Sequence, residues 1–197
     1  MRDPKNIHEV EETGADWLGF IFFKKSPRYV AQKPAYLPER AKRVGVFVNA
    51  SETEIESIAD DFRLDFVQLH GGESPELCQA IRDKGHKVIK VFSLKSEADL
   101  SQTESYNGCA DYFLFDTPCK EYGGSGRCFD WSLLSGYCGT TPFILSGGLN
   151  PGSVDALKSF SHPLWAGIDL NSGFETAPAM KDAQALKEFI DKVKSEK

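Results

Sequence analysis

A carboxylate, a histidine and an amide stand within or at the ends of short apolar runs, where polar side chains must be used or satisfied. Asp116 follows Tyr112-Phe113-Leu114-Phe115. A carboxyl group at the end of an apolar strand is partly desolvated and suits a general acid, though it also suits a loop cap. Gln68 lies inside Val67-Gln68-Leu69, where its amide must find a partner. His70 closes that run, as a substrate contact or as a satisfied structural histidine. Lys24-Lys25-Ser26-Pro27-Arg28-Tyr29 follows the first run. On so rigid a loop the Arg28 fork can clamp a carboxylate or a phosphate, and the same segment also fits a solvated basic turn. The glycines of Tyr122-Gly123-Gly124-Ser125-Gly126 allow either a lid or an anion nest.

Two further loops point to an anion more strongly. Ser146-Gly147-Gly148 follows one apolar run, with Asn150-Pro151 opening a helix behind it. Asp169-Leu170-Asn171-Ser172-Gly173 follows the last run. Small residues let backbone N–H groups approach an anion. Gly147, Gly148, Asn171, Ser172 and Gly173 are therefore the expected phosphate-binding residues.

The elements that must position these groups alternate. Apolar runs at 17–23, 44–48, 66–69, 88–92, 112–115, 143–145 and 167–170 have the look of strands buried on both faces of a parallel sheet. Between them lie segments with helix grammar. Ser51 with Glu54, Ser74-Pro75 and Asn150-Pro151 are start signals, and Ala183, Leu186, Phe189, Ile190 and Val193 recur at helical spacing. Asp3-Pro4 starts a helix that Gly14 ends, and weaker helices are expected at 34–42, 97–105 and 129–135. The total is seven strands and eight helices in one domain over 1–197. This is an α/β fold, a (β/α)8 TIM barrel lacking its first β-strand. In such barrels functional groups gather at the C-terminal strand ends, and the loops after the last two strands commonly take phosphate. No GxGxxG follows an early strand, which disfavours a doubly wound open sheet.

The 197 residues carry a net charge of −6 and a mean hydropathy of −0.35, with no basic run and no apolar stretch of membrane-spanning length. Nucleic acid and membrane are not expected partners. No signal-peptide pattern opens the chain. The five cysteines, Cys78, Cys109, Cys119, Cys128 and Cys138, fit no zinc spacing, and such scattered thiols suggest a cytoplasmic protein. The four histidines do not fall together at strand ends, which argues against a metal-dependent barrel enzyme.

In these motifs the sequence resembles the phosphoribosylanthranilate isomerase family of tryptophan biosynthesis. The resemblance runs from Met1 to about Phe189. It is carried by Gly19-Phe20-Ile21-Phe22 with Lys25-Ser26-Pro27-Arg28-Tyr29-Val30, by Val44-Gly45-Val46-Phe47-Val48-Asn49, and by Val67-Gln68-Leu69-His70-Gly71. Asp116-Thr117, Tyr122 to Gly126, Phe129-Asp130-Trp131, Leu145 to Pro151 and Ile168 to Glu175 complete it.

The resemblance implies an Amadori rearrangement that uses neither metal nor cofactor, on a small phosphosugar substrate. It implies that Asp116 is the acid that opens the sugar ring, and that Arg28 and Asp169 position anthranilate and sugar. Gln68 and His70 join them as candidate substrate contacts. The family's base is a cysteine in a Cys-Gly pair that ends the first strand, just ahead of the helix begun here by Arg2-Asp3-Pro4. Met1 stands directly after its place, so strand and base are both expected to be missing. Cys119 and Cys128 would approach from the acid's side and are poor substitutes. This chain is therefore expected to be inactive or impaired as an isomerase, or to be a non-catalytic phosphosugar-binding remnant that assists a partner. The strands at 17–23 and 167–170 would present unpaired edges open to self-association.

Overall fold

The computed structural model describes residues 1–116 and 131–195. Seven strands form one parallel sheet in strict chain order: β1 (Trp17–Ile21), β2 (Lys42–Phe47), β3 (Phe66–Leu69), β4 (Lys87–Ser93), β5 (Tyr112–Asp116), β6 (Phe143–Ser146) and β7 (Trp165–Ile168). All seven expected strands are present, with ends shifted by a few residues. β3 and β6 are buried at every position, as runs apolar on both faces require.

The sheet is strongly curled. Trp17 on β1 lies 5.4 Å, ring centre to ring centre, from Tyr112 on β5. A flat sheet would hold strands four places apart at about 19 Å. Alternation along each strand sorts the side chains into two cores. Val44, Phe66, Ile89, Val91, Leu114 and Ile144 fill the concave inside, with Trp17, Val46 and Tyr112 packed on them. Phe20, Phe47, Val67, Leu69, Phe92, Phe113, Phe115, Phe143 and Leu145 belong to the larger core that includes the helices. Among the described residues β1 and β7 each form a ladder with one strand only, and the outer side of β1 carries just an isolated bridge from Ile21 to Tyr29, so the sheet has two edges.

The helix starts follow the capping signals. Asp3 caps α1 (Pro4–Glu11) by accepting from the Asn6 amide at 2.8 Å, and Gly14, with φ +82°, turns the chain out of it. Ser51 caps α2 (Glu52–Phe62) and Ser74 caps α3 (Pro75–Asp83). Two segments expected as helices are 3-10, at Glu97–Tyr106 and Trp131–Gly136. Asn150 caps a 3-10 turn, Pro151–Ser153, that runs into α4 (Val154–Ser159), and α5 spans Ala183–Lys194.

The helix expected at 34–42 is not formed, so seven of the eight expected helical segments occur among the described residues. Pro34 and Pro38 explain this. A proline one turn inside removes an amide and clashes with the preceding turn. The backbone groups find other partners: the Pro38 carbonyl accepts from Arg43 at 2.6 and 2.9 Å, and the amides of Arg40 and Ala41 donate to Glu11. A small hairpin not foreseen in the sequence, β8 (Glu175–Ala177) with β9 (Met180–Lys181), follows β7. No helix among the described residues is long and apolar enough to cross a membrane.

Candidate functional site

The residues that end the strands share the parity of the inner core. On β3, Phe66 and Gln68 face inward and His70 continues the alternation; on β5, Tyr112 and Leu114 lead to Asp116; on β6, Ile144 leads to Ser146. One residue beyond β7, Asp169 donates its amide to Leu145 O at 2.7 Å, which extends the ladder. Curling then closes the distances. His70 Nε2 stands 3.6 Å from Asp116 Oδ2, with β4 between their strands, and both side chains are about one-third exposed. Gln68 is almost fully buried beneath them.

Asp169 forms the second carboxylate of the mouth. Its Oδ2 accepts from Ser146 Oγ at 2.9 Å. Burial pushes its carboxyl above the ordinary range, and Asp116 adds to this, against the opposing pull of Ser146, Lys181 and His70. The site therefore holds two carboxylates, one of them raised, as functional sites often do.

The two glycine-containing loops meet beside them. Gly147 and Gly148 have φ +91° and +63°, in the left-handed region that favours glycine. A Cβ on Gly173 would lie 2.1 Å from Leu149 O, so only glycine lets the loop after β7 rest against the loop after β6. Asn171, Ser172 and Gly173 are exposed at this junction, and residues Ser172–Phe174 form a short 3-10 turn.

Arg28 is placed differently from a free clamp. Its Nε and Nη2 bind both oxygens of Glu175 at 2.6 to 3.0 Å. The Glu175 side chain is only 5% exposed. Burial alone would raise its carboxyl, but Arg28 and Lys181 outweigh this and hold it below the ordinary carboxylate range. Lys181 Nζ donates to Glu175 Oε1 at 3.2 Å and to Asn171 Oδ1 at 2.7 Å. Burial lowers the Lys181 ammonium, with Glu175 pulling the other way. A charged bridge thus runs from the Arg28 loop to the loop of Asn171. Neither Glu175 nor Lys181 was singled out by the sequence, because the pairing joins residues 147 positions apart. Lys90 and Glu73 were likewise missed, a buried ion pair at 3.0 Å behind the mouth.

The glycine-rich segment 122–126, Cys119 and Cys128 lie outside the described residues. Of the described cysteines, Cys78 is buried on α3, while Cys109 and Cys138 precede β5 and β6, at the end of the sheet away from the site. Among the described residues no three His, Cys, Asp or Glu side chains gather as metal ligands would.

A carboxylate beside a histidine, a second carboxylate bonded to Ser146 and paired glycine loops form a mouth suited to proton transfer on a phosphorylated substrate. Comparison with known proteins agrees with this arrangement. The family model for N-(5′-phosphoribosyl)anthranilate isomerase matches residues 1–192. The isomerase of Phocaeicola vulgatus is 56% identical over 194 residues, covering 98% of this chain and 95% of that protein. The crystal structure of the Thermotoga maritima isomerase is 36% identical, with a TM-score of 0.84 over 99% of this chain and 96% of that one. A phosphoribosylanthranilate isomerase in complex with reduced 1-(o-carboxyphenylamino)-1-deoxyribulose 5-phosphate is 33% identical, with a TM-score of 0.83 over 99% of each chain. Its seven-stranded sheet, its mouth and these matches place the chain in the N-(5′-phosphoribosyl)anthranilate isomerase family.

Proposed function

We propose that the chain serves the isomerisation of N-(5′-phosphoribosyl)anthranilate to 1-(2-carboxyphenylamino)-1-deoxyribulose 5-phosphate in tryptophan biosynthesis. The observation that carries this is the convergence of Asp116, Asp169 and the paired loops 147–148 and 171–173 on one mouth. Asp116 acts as the general acid: it protonates the ring oxygen, the C1′–O bond breaks, and the nitrogen lone pair forms an iminium. A base then takes the C2′ proton, and the resulting enolamine tautomerises to the amino-ketose. Asp169, Gln68 and His70 contact the sugar side. Arg28, oriented by Glu175, faces the anthranilate. Backbone donors of Gly147, Gly148, Asn171, Ser172 and Gly173 hold the phosphate. The bound reduced product of the solved relative supports a ligand of this class.

The base belongs to the side between β7 and β1. Among the described residues no thiol stands there, and the outer edge of β1 receives the Met1 nitrogen on Gly19 O at 2.6 Å. An eighth strand running between the two edges and ending in Cys-Gly would bring a thiolate to the face opposite Asp116. Without such a thiolate the described residues would carry the acid and the binding groups alone, as an impaired isomerase or a phosphosugar binder. Sheet edges that lack a partner strand would also favour self-association.

Calorimetry with the reduced product analogue tests the reading. Saturable one-site binding by the 197-residue chain, weakened when inorganic phosphate competes, is the expected result. Absence of binding, or binding indifferent to phosphate, contradicts it.

A further inference from the structure

Lys90 sits on β4, with its side chain turned away from Ile89 and Val91 of the inner core and 3% exposed. Its Nζ donates to Gly71 O at 2.7 Å, to Glu73 Oε2 at 3.0 Å and to Leu69 O at 3.3 Å. That is one acceptor for each ammonium proton. Glu73, 1% exposed, accepts from the Asn49 amide on Oε1 and the Gly71 amide on Oε2, each at 2.8 Å. Asn49 Oδ1 accepts in turn from the Gly72 amide at 2.8 Å. One buried ion pair therefore ties the ends of β2 and β3 to the middle of β4.

Such a pair is a weak source of net stability, because desolvation offsets most of the attraction. Apolar side chains of the same shape would fill the space as well. They could not hold the two carbonyls that Lys90 holds, Leu69 O and Gly71 O, which flank His70 on either side. We propose that Lys90 and Glu73 are positioning residues that fix the turn carrying His70, so that its imidazole faces Asp116 and the substrate. The proposal rests on the reading above, in which His70 contacts substrate.

The test is a crossed set of binding measurements with the reduced product analogue. His70→Ala should weaken binding about tenfold, the value of one good polar contact. Lys90→Met with Glu73→Leu should cost a similar factor and add nothing further when His70 is already alanine. The same pair combined with Gly173→Ala, which crowds the loops after β6 and β7, should multiply, because those loops stand elsewhere. A merely structural role predicts equal losses in both backgrounds. If the paired replacement does not fold, Asn49→Gly remains available: Asn49 is exposed with φ +52°, which glycine tolerates. It releases Gly72 and should cost about threefold, again only while His70 is present. Wild-type affinity in the paired replacement, or losses that multiply with His70→Ala, would overturn the positioning role. No binding by the unsubstituted chain would overturn the functional reading, and this inference with it.

Discussion

The two halves of the mouth are held by different physics. From β3 to β6 the site residues continue strands whose register is fixed by neighbours on both sides, over cores buried on both faces. From β7 round to β1 the described residues offer no continuous ladder, only the isolated Ile21–Tyr29 bridge and the Met1 nitrogen on Gly19 O, and ion pairs and side-chain bonds between remote segments do most of the joining. Arg28 meets Glu175, Asn6 exchanges two bonds with the Lys181 backbone at 2.8 Å each, and Glu11 secures the segment before β2. The first half places an acid by packing. The second places cations by charge, which makes it more sensitive to substitution and to pH. A carboxylate can thus be positioned by register alone, whereas Arg28 on the open side is held by a partner of its own.

The largest expected effect falls on the ladder half. Asp116→Asn, made in the chain extended by a strand ending in Cys-Gly, should lower kcat by about 10²–10⁴-fold and leave affinity for the product analogue nearly unchanged. Stopped-assay kinetics with parallel calorimetry separate the two quantities. An equal loss in affinity would mean that Asp116 holds substrate and does not donate the proton.

On the charged half, Glu175→Ala leaves Arg28 and the buried Lys181 without their shared carboxylate. Breaking a buried pair costs about 3–5 kcal/mol. Urea denaturation should show that loss, together with weaker binding of the analogue. A change below about 1 kcal/mol, the value of a surface pair, would remove the contrast between the halves.

Gly173→Ala probes the seam of the loops proposed to hold phosphate. The added carbon would meet Leu149 O at 2.1 Å, so one loop must move. Overpacking of this kind costs about 1–3 kcal/mol, and affinity for inorganic phosphate should fall roughly tenfold. Unchanged phosphate affinity would show that the anion binds elsewhere.

The smallest effect is a pH dependence. Burial alone would raise the Glu11 carboxyl, but the Tyr36 hydroxyl and the amides of Ala41 and Arg40 hold it down to about 2, against an ordinary 4.5. A carboxyl lowered on folding stabilises the protein fully above its unfolded value and loses that contribution as pH falls towards the folded one. Between about pH 4.5 and 2, some 1–2 kcal/mol should disappear, after allowance for screening by water. Denaturation of the native chain and of Glu11→Gln should therefore converge on acidification. Curves that stay parallel would contradict the assignment.

What the sequence revealed divides along the same line. Strands apolar on both faces are legible because burial dictates their composition, and Asp116, His70 and Asp169 were found because they terminate such runs. The glycine loops were legible through their backbone demands. The segment 34–42 reads as a weak helix candidate and forms none, because Pro38 falls inside it. Lys90 was passed over inside Val88–Phe92, where a lysine looks like an interruption in an apolar run; only the fold shows three acceptors around it. Glu175 and Lys181 were illegible because their roles depend on contacts with Arg28 and Asn171, which chain order does not reveal.

The measurement closest to the central claim is turnover of N-(5′-phosphoribosyl)anthranilate by the 197-residue chain, alone and extended by a strand ending in Cys-Gly ahead of Met1. Both chains should bind the reduced product analogue with similar affinity. The extended chain should turn substrate over about 10²–10⁴ times faster, if the proposed proton acceptor comes from that strand. Equal rates from the two chains would show that the described mouth already has its base, and would contradict the division of labour proposed for it.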